Sequence, residues 1–284
     1  MSYANPDALV STEWLAEHLR APDLRVVDAS WYLPALKRDP KREYAERHIP
    51  GAVYFDLDDI SDSNDPLPHM LPPLEKFASR MRRMGIGDGN RVVVYDGSDN
   101  HVSAPRAWWM FRVFGHADVA VLNGGLKKWL AEGRPVEDLP PLPRERHYTA
   151  RRNDLLVRDA EQLKANLTSK REQVLDARST GRFNGTEAEP RAGLRGGHIP
   201  GSLSLPHATL TDPATGLIKD ADALRKLFVD AGIDMNRPVV TTCGSGVTAS
   251  GLALALHLLG HRQFAVYDGS WSEWGARADL PVER

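Results

Sequence analysis

Short apolar runs alternate along this chain with segments of helical periodicity. The apolar runs predict buried strands at 24–28, 91–95, 117–122, 174–176, 238–242 and 264–267. Amphipathic segments predict helices at 12–20, 74–84, 106–114, 221–231 and 247–259. Strands alternating with helices are typical of an α/β fold, in which helices cover parallel sheets. Ligands of such folds bind beyond the carboxyl ends of the strands, so the loops that follow strands are the places to look for a site.

The chain also repeats itself once. The motif His48-Ile-Pro-Gly51 returns as His198-Ile-Pro-Gly201, and Asp28, which ends a predicted strand, has its counterpart in Asp176. A period of this length indicates two copies of a whole domain rather than a solenoid. A Pro-rich, charged stretch between the copies is typical of an extended connection. We therefore predict an N-terminal domain over 1–140, a linker over 141–157 and a C-terminal domain over 158–284.

Composition narrows the classes of function. A length of 284 residues allows two hydrophobic cores, and 42% hydrophobic with 26% charged residues is ordinary for a globular protein. The net charge of −2 offers no broad field to attract a polyanion, so nucleic acid is not an expected partner. The chain shows neither a secretory signal pattern nor an apolar run of transmembrane length, so we expect a cytoplasmic protein that does not use a membrane. We also expect a monomer.

Cys243 is the only cysteine, which excludes an internal disulfide and suits a reducing compartment. A lone cysteine is often a small buried apolar residue. This one, however, follows the apolar run 238–242 and opens the loop Cys243-Gly-Ser-Gly-Val-Thr-Ala249 before a helix. Two glycines allow successive backbone N–H groups to point inward at the helix N-terminus, which forms a cradle for an anion and favours thiolate over thiol.

The other copy has Asp96-Gly97-Ser98 at the corresponding place and no cysteine. One active and one degenerate copy are therefore expected. A phosphatase loop would need an arginine where this chain has Ala249. A cysteine protease would need a base beside the thiol, but His257 and His261 lie late on, or beyond, the following helix. A zinc site at these two histidines is not expected, because no acidic residue near them could serve as a third ligand.

These features resemble the tandem rhodanese family over essentially the whole chain. The resemblance rests on the two halves, on the loop 243–249 in the second half only, and on Tyr267-Asp-Gly-Ser-Trp-Ser-Glu-Trp274. The loop resembles the 3-mercaptopyruvate sulfurtransferase branch, since thiosulfate-preferring relatives carry Arg-Lys in place of Gly244-Ser245. The family resemblance implies an α/β fold with two rhodanese-like domains, each a parallel sheet covered by helices on both faces.

The resemblance also implies a reaction. Sulfur would move from a small donor to Cys243 as a persulfide, and then to a thiol, cyanide or thioredoxin, without metal or organic cofactor. Thiosulfate is a dianion that gains from cationic flanking side chains, so the neutral loop favours 3-mercaptopyruvate as donor. Two alternatives stay open: a thiosulfate:cyanide sulfurtransferase using the same persulfide, and a non-catalytic module that only relays persulfide.

Matching to the family assigns further site residues. Arg182 and Arg191 would hold the carboxylate of the donor in bidentate fashion. Ser245, His69 and Asp58 would form a proton-transfer group, because the enolate left by C–S cleavage must be protonated. The other assigned substrate contacts are the loop residues Gly244, Gly246, Val247 and Thr248. Alternatively, His69 caps a loop and Asp58 caps the helical turn before Ser61.

Three further residues are expected to be structural. His48 and His198 occur in both copies, including the one without a cysteine, so we predict that they stabilise turns. Arg178 follows Asp176 and is expected to form an ion pair with it.

Overall fold

The computed structural model describes residues 2–284 and contains two five-stranded parallel sheets. The first has the strand order β1-β5-β4-β2-β3 and the second the order β6-β10-β9-β7-β8, so the two sheets repeat one topology. The strands of the first sheet are β1 Leu9–Val10, β2 Leu24–Asp28, β3 Val53–Tyr54, β4 Arg91–Tyr95 and β5 Val119–Leu122. Those of the second are β6 Val157–Arg158, β7 Gln173–Asp176, β8 Leu203–Ser204, β9 Val239–Thr242 and β10 Phe264–Tyr267.

Helices connect the strands. The first domain contains α1 Thr12–His18, α2 Pro40–Glu46, α3 Leu57–Ile60, α4 Leu74–Arg83, α5 Ala104–Val113 and α6 Gly125–Ala131. The second contains α7 Ala160–Ser169, α8 Thr180–Phe183, α9 Ala221–Asp230, α10 Ala249–Leu258 and α11 Ser270–Trp274. Short 3-10 helices cover Pro6–Ala8, Pro34–Leu36, Asp154–Leu156 and His207–Leu210. Every strand and helix predicted from periodicity is present.

Both faces of each sheet are covered, as predicted. In β4, Val92 and Val94 belong to the same core as residues of α4 and α5. Val93 and Tyr95 point to the other face, where they pack in a second core with residues of α1 and α6. Since successive side chains of a strand point to opposite faces, a strand that is apolar throughout needs helices on both sides.

The two domains share one of these cores. Helices α5 and α10 pack against each other between the sheets, and one continuous cluster of buried side chains includes residues of both domains. The paired tryptophans Trp108 and Trp109 of α5 are fully buried in it. The N-terminal segment adds a further link, because the N–H of Ala4 donates to the carbonyl of Leu258 at 2.8 Å. The domains therefore form one packed unit with a defined interface.

The repeated His-Ile-Pro-Gly motifs make structural turns, as expected. Both histidines are buried, and the Nδ1 atoms of His48 and His198 lie 2.7 Å and 2.8 Å from main-chain carbonyl oxygens. The glycine N–H of each motif donates to a carboxylate, that of Glu137 at 2.6 Å in the first copy and that of Glu283 at 2.8 Å in the second. The predicted ion pair of Arg178 with Asp176 is also present, at 2.6 Å.

Residues 138–153 contain neither helix nor strand and connect the two sheets. This connection lies on the first domain: Tyr148 is buried and stacks on His116, and the N–H of Arg151 donates to the carbonyl of Phe114 at 2.9 Å. The domain boundaries at 140 and 158 stay predictions. Within residues 2–284, no helix has the length and apolar character needed to cross a lipid bilayer.

Candidate active site

A cavity of about 260 Å³ opens between the two domains, beyond the carboxyl ends of β7 and β9. Cys243 lies in its wall, although only 2% of the residue is exposed, so the thiol is recessed but not sealed in the core. The first domain contributes Trp31, Leu33, Asn100 and Val102 to the lining. A larger opening of about 740 Å³ lies at the opposite edge of the sheets, but it contains none of the residues predicted for the site.

The cysteine loop has the form expected of an anion cradle. Cys243 directly follows β9, and α10 begins at Ala249. Within residues 2–284, the backbone N–H groups of 244–248 have no hydrogen-bond acceptor. Gly246 has a φ of +74°, in the left-handed region that favours glycine and that is typical of loops whose N–H groups form an anion-binding nest. Five consecutive donors beside one sulfur atom can stabilise negative charge there.

The corresponding loop of the first domain is already filled by an anion. Asp96 follows β4 as Cys243 follows β9. Its carboxylate accepts hydrogen bonds from the N–H groups of Ser98 at 3.0 Å, Ser103 at 2.9 Å and Ala104 at 2.7 Å. The loop of the first domain thus binds its own carboxylate. The corresponding loop of the second domain has a thiol instead, and its N–H groups have no acceptor within residues 2–284. This comparison within one molecule supports the assignment of the second loop as an anion site.

A second loop, after β10, supports the cysteine loop from behind. The N–H of Cys243 donates to Ser270 Oγ at 3.2 Å, and the N–H of Trp271 donates to the carbonyl of Cys243 at 2.9 Å. The N–H of Ser272 donates to the carbonyl of Gly244 at 2.9 Å. These bonds occupy the carbonyl oxygens of Cys243 and Gly244 and so fix the start of the loop against the segment after β10.

Arg182 and Arg191 both reach the cysteine loop. A Cβ atom placed on Gly244 would lie 3.0 Å from Arg182 Nη2 and 3.8 Å from Arg191 Nη1. Burial lowers the pKa of Arg191, while the nearby sulfur of Cys243 acts in the opposite direction and the charge of Arg182 lowers it further. Two guanidinium groups therefore face the thiol, and glycine at 244 leaves room for them.

The two arginines differ in how they are held. Arg182 donates through Nε and Nη2 to the buried carboxylate of Glu189, with the shortest contact at 2.6 Å. Among the described residues, Arg191 has no such carboxylate partner within hydrogen-bond distance. The expected bidentate contact through this edge of Arg182 is therefore already made to Glu189, and Arg191 has its full set of donors available for a ligand.

The predicted proton-transfer group is assembled across the domain interface. His69 Nδ1 lies 3.0 Å from Ser245 Oγ, and His69 Nε2 lies 3.3 Å from Asp58 Oδ1. Asp58 lies in α3, whose N-cap is Asp56, so Asp58 does not cap the helix as the alternative proposed. The carboxylate can only accept, so Nε2 carries the proton and Nδ1 accepts from the Ser245 hydroxyl.

The charges of this group follow from its environment. Burial lowers the pKa of His69, and the charge of Arg106 lowers it further against the opposing effect of Asp58. The hydrogen bond from His69 lowers the pKa of Asp58. At neutral pH the pair is therefore a neutral imidazole and a carboxylate, which is the state in which a histidine can take up a proton.

The sequence analysis missed two residues beside this group. Arg106 of α5 is fully buried and pairs with Asp268, which follows β10, at 2.8 Å. An arginine in the first turn of a helix whose only other charged residue is Arg112, in the last turn, could have indicated a buried, paired charge. Nothing in the sequence indicated the partner, because 162 positions separate the two residues.

Metal ligation finds no support in this region. His257 packs its ring against Trp108 and Phe264, and both ring nitrogens of His261 lie near main-chain carbonyl oxygens. In the described part of the chain, 2–284, no three His, Cys, Asp or Glu side chains are grouped as metal ligands would be.

The duplicated sheet topology and the cysteine loop define a two-domain protein of the rhodanese class. The rhodanese-like domain profile matches residues 11–132 and again 159–277, so the chain belongs to the rhodanese family. Curated relatives include the 3-mercaptopyruvate sulfurtransferase of Homo sapiens, 48% identical over 276 residues, which cover 95% of this chain and 93% of the relative. The thiosulfate sulfurtransferase of Rattus norvegicus is also 48% identical, over 278 residues with the same coverage.

Solved structures agree with the fold. The chain is similar to SseA from Escherichia coli, described as a 3-mercaptopyruvate sulfotransferase, with a TM-score of 0.86, 39% identity and coverage of 94% of this chain and 99% of SseA. It is also similar to the Tum1 protein of Saccharomyces cerevisiae, with a TM-score of 0.89, 31% identity and coverage of 97% and 98%. The predicted fold of two rhodanese-like domains is confirmed.

Proposed function

We propose that this protein is a sulfurtransferase that takes sulfur from 3-mercaptopyruvate onto Cys243 and releases pyruvate. The observation that carries the proposal is the row of N–H groups at 244–248, which have no acceptor within residues 2–284, next to the only cysteine. Arg182, Arg191 and Ser245 line the same cavity, and His69 lies 3.0 Å from Ser245. Relatives that cover nearly the whole chain are named as enzymes of this type.

The first step forms the persulfide. The Cys243 thiolate attacks the sulfur atom of the donor, a new S–S bond forms, and the C–S bond breaks with its electron pair on carbon. The products are a cysteine persulfide and the enolate of pyruvate. The cradle of N–H groups is suited to this step because it stabilises negative charge on the sulfur before attack and on the persulfide afterwards.

The donor carboxylate needs a fixed partner. Arg191 faces the cysteine loop, and its donors have no acceptor in the described part of the chain. Arg182, held in place by Glu189, adds a second positive charge. A guanidinium group can meet a carboxylate with two parallel hydrogen bonds, which orients the donor as well as binding it. The sulfur of the donor would then be directed toward Cys243.

The enolate must gain a proton. The donor thiol loses one when its sulfur becomes part of the persulfide anion, so the net reaction only moves a proton from sulfur to carbon. The Ser245 hydroxyl and the neutral His69 ring, 3.0 Å apart, are placed to take up this proton and return it. Asp58 stabilises the imidazolium ion that forms in between.

Thiosulfate is the second candidate donor. Relatives named thiosulfate sulfurtransferase are as similar as those named for 3-mercaptopyruvate, at 46–48% identity. With thiosulfate, sulfite leaves with the electron pair and no carbon is protonated, so the Ser245, His69 and Asp58 group would have no role. The presence of that group, together with the uncharged Gly244-Ser245, favours 3-mercaptopyruvate.

The acceptor is proposed to be a small thiol, cyanide or a reduced protein thiol such as thioredoxin. Attack of the acceptor on the outer sulfur of the persulfide transfers that sulfur and restores the Cys243 thiolate. We also propose that the protein is cytoplasmic, because a single free cysteine suits a reducing compartment. We further propose that it is a monomer. Size-exclusion chromatography with light scattering and cell fractionation test these two points.

A comparison of the two donors tests the proposal. Pyruvate formation from 3-mercaptopyruvate and thiocyanate formation from thiosulfate and cyanide are measured on the same preparation. We expect kcat/KM to be at least about tenfold higher with 3-mercaptopyruvate, corresponding to about 1.4 kcal/mol of transition-state stabilisation. The reverse order would favour the thiosulfate alternative. Persulfide formation without multiple turnover, with any thiol, would favour the relay module.

A further inference from the structure

Arg106 is a buried cation that the proposed chemistry does not explain. It lies in the first turn of α5 in the first domain, and none of its surface is exposed. Its guanidinium group lies over the ring of Trp109 at 4.5 Å from the ring centre. Removing a charge from water is costly unless the charge is paired, so a fully buried arginine is expected to have a specific role.

Its contacts converge on the two halves of the site. Arg106 Nη2 donates both to the main-chain carbonyl of His69 and to Asp268 Oδ1, the latter at 2.8 Å. The second oxygen of Asp268 accepts from the N–H of Leu71 at 2.8 Å. Arg106 and Asp268 together therefore fix the main chain on both sides of residue 70, next to the histidine.

Arg106 also lies directly against the cysteine loop. A Cβ atom placed on Gly246 would lie 2.8 Å from Arg106 Nη1, so the loop and the guanidinium group are in close contact. Within residues 2–284, Nη1 and Nε of Arg106 have no hydrogen-bond partner. One side chain of the first domain thus touches both the segment that presents His69 and the loop that presents Cys243 and Ser245.

His69 needs such support. Its φ is +62°, a left-handed conformation that is unfavourable for a residue with a side chain and persists only where the surroundings hold it. The hydrogen bond that Arg106 donates to the main-chain carbonyl oxygen of His69 stabilises this conformation. The ring is then directed at Ser245, 3.0 Å away in the other domain.

We propose that Arg106 is a positioning residue that, with Asp268, holds His69 in register with Ser245 across the domain interface. It touches neither the donor nor the sulfur. Its effect passes through the proton-transfer group, and this inference rests on the proposed function for its consequence in catalysis. It follows that Arg106 matters for a donor whose carbon must be protonated, and much less for one that needs no proton.

Comparing the rates of a variant with the two donors therefore distinguishes a role of Arg106 in positioning His69 from a general role in stabilising the fold. Arg106→Lys keeps the charge, but the lysine side chain ends one bond short of the position from which Nη2 reaches both the His69 carbonyl and Asp268. With 3-mercaptopyruvate we expect kcat to fall about tenfold or more at nearly unchanged KM, since general acid–base catalysis contributes roughly 10²- to 10⁴-fold. Persulfide formation from thiosulfate in a single turnover should stay within about threefold of the unsubstituted rate.

Two further variants guard against misfolding. The double variant Arg106→Met with Asp268→Asn removes both charges, so neither is left buried alone, and the same loss with 3-mercaptopyruvate is expected. The matched control is Arg112→Lys. Arg112 lies in the same helix, with its guanidinium group 5.2 Å from the ring centre of Trp108, and this variant should react with both donors at the unsubstituted rates. Equal losses with both donors, or none in either Arg106 variant, would overturn the proposal.

A crystal structure of Arg106→Lys gives a readout that does not depend on activity. We expect the contact between His69 Nδ1 and Ser245 Oγ to lengthen beyond hydrogen-bond distance. An unchanged contact would contradict the inference even if the protein transfers sulfur. An unsubstituted protein that forms neither pyruvate nor persulfide would instead contradict the proposed function and leave the crystallographic result to decide on Arg106.

Discussion

The two arginines that face the thiol carry the same charge but are held differently. Arg182 has one edge of its guanidinium group occupied by Glu189, whereas Arg191 is half-buried with no such partner among the described residues. A ligand carboxylate can therefore gain the most from Arg191, because an unpaired donor makes new hydrogen bonds without losing old ones. The sequence could assign both residues only by family resemblance, since the pairing with Glu189 depends on how the loop folds.

Arg191→Ala should chiefly weaken donor binding. Hydrogen bonds to a charged group contribute about 1.5–3 kcal/mol, so we expect KM for 3-mercaptopyruvate to rise about tenfold or more while kcat changes by less than about threefold. Steady-state pyruvate formation measures both constants. The control is Arg225→Ala, an exposed position on α9 that should behave as the unsubstituted protein. A normal KM for Arg191→Ala would refute the assigned carboxylate contact.

At the scale of elements, the two loops that follow β4 and β9 are variants of one design. Both end a central strand and lead into a helix that is packed between the domains. In the first, the carboxylate of Asp96 takes the place of an external anion, and in the second the same place is left for sulfur. The sequence predicted one active and one degenerate copy, because Asp-Gly-Ser and Cys-Gly-Ser stand at equivalent positions after equivalent apolar runs. It did not predict that the Asp96 carboxylate binds the N–H groups of its own loop.

Removing the charge of Asp96 should destabilise the first domain without a direct effect on the chemistry. Asp96→Asn loses charge-assisted bonds to several N–H groups, so we expect the free energy of unfolding to fall by about 1–3 kcal/mol. Denaturant unfolding measures this. The control is Asp99→Asn on the same loop, whose exposed ion pair with Lys127 should contribute less than about 1 kcal/mol. Equal stabilities of the two variants would disprove the filled-cradle interpretation.

Elements differ in how well periodicity predicts them. Strands of four or five residues such as β2 and β10 give a clear apolar run and were predicted, whereas the two-residue edge strands β1, β3, β6 and β8 were not. Two residues are too few to show a period, and these strands form because a neighbouring strand offers its free edge. The short helices α3 and α8, which carry Asp58 and Arg182, were missed for the same reason.

At the scale of the molecule, neither domain has the whole site. The second domain supplies Cys243 and Ser245, and the first supplies His69, Asp58 and the buried Arg106. The shared core between α5 and α10 fixes the domains against each other, so groups far apart in sequence can meet at hydrogen-bond distance. The cysteine loop was predictable because its motif is local, whereas the contacts of Arg106 depend on the docking of two domains and leave no local pattern.

The central claim is that Cys243 carries the transferred sulfur. Intact-protein mass spectrometry after treatment with 3-mercaptopyruvate, with pyruvate measured in the same sample, tests it most directly. We expect a gain of one sulfur atom per chain, located on Cys243, one equivalent of pyruvate, and loss of the added sulfur when a thiol acceptor is supplied. Cys243→Ser should show neither the gain nor the pyruvate. Undiminished pyruvate release by that variant, or sulfur found on another residue, would contradict the account.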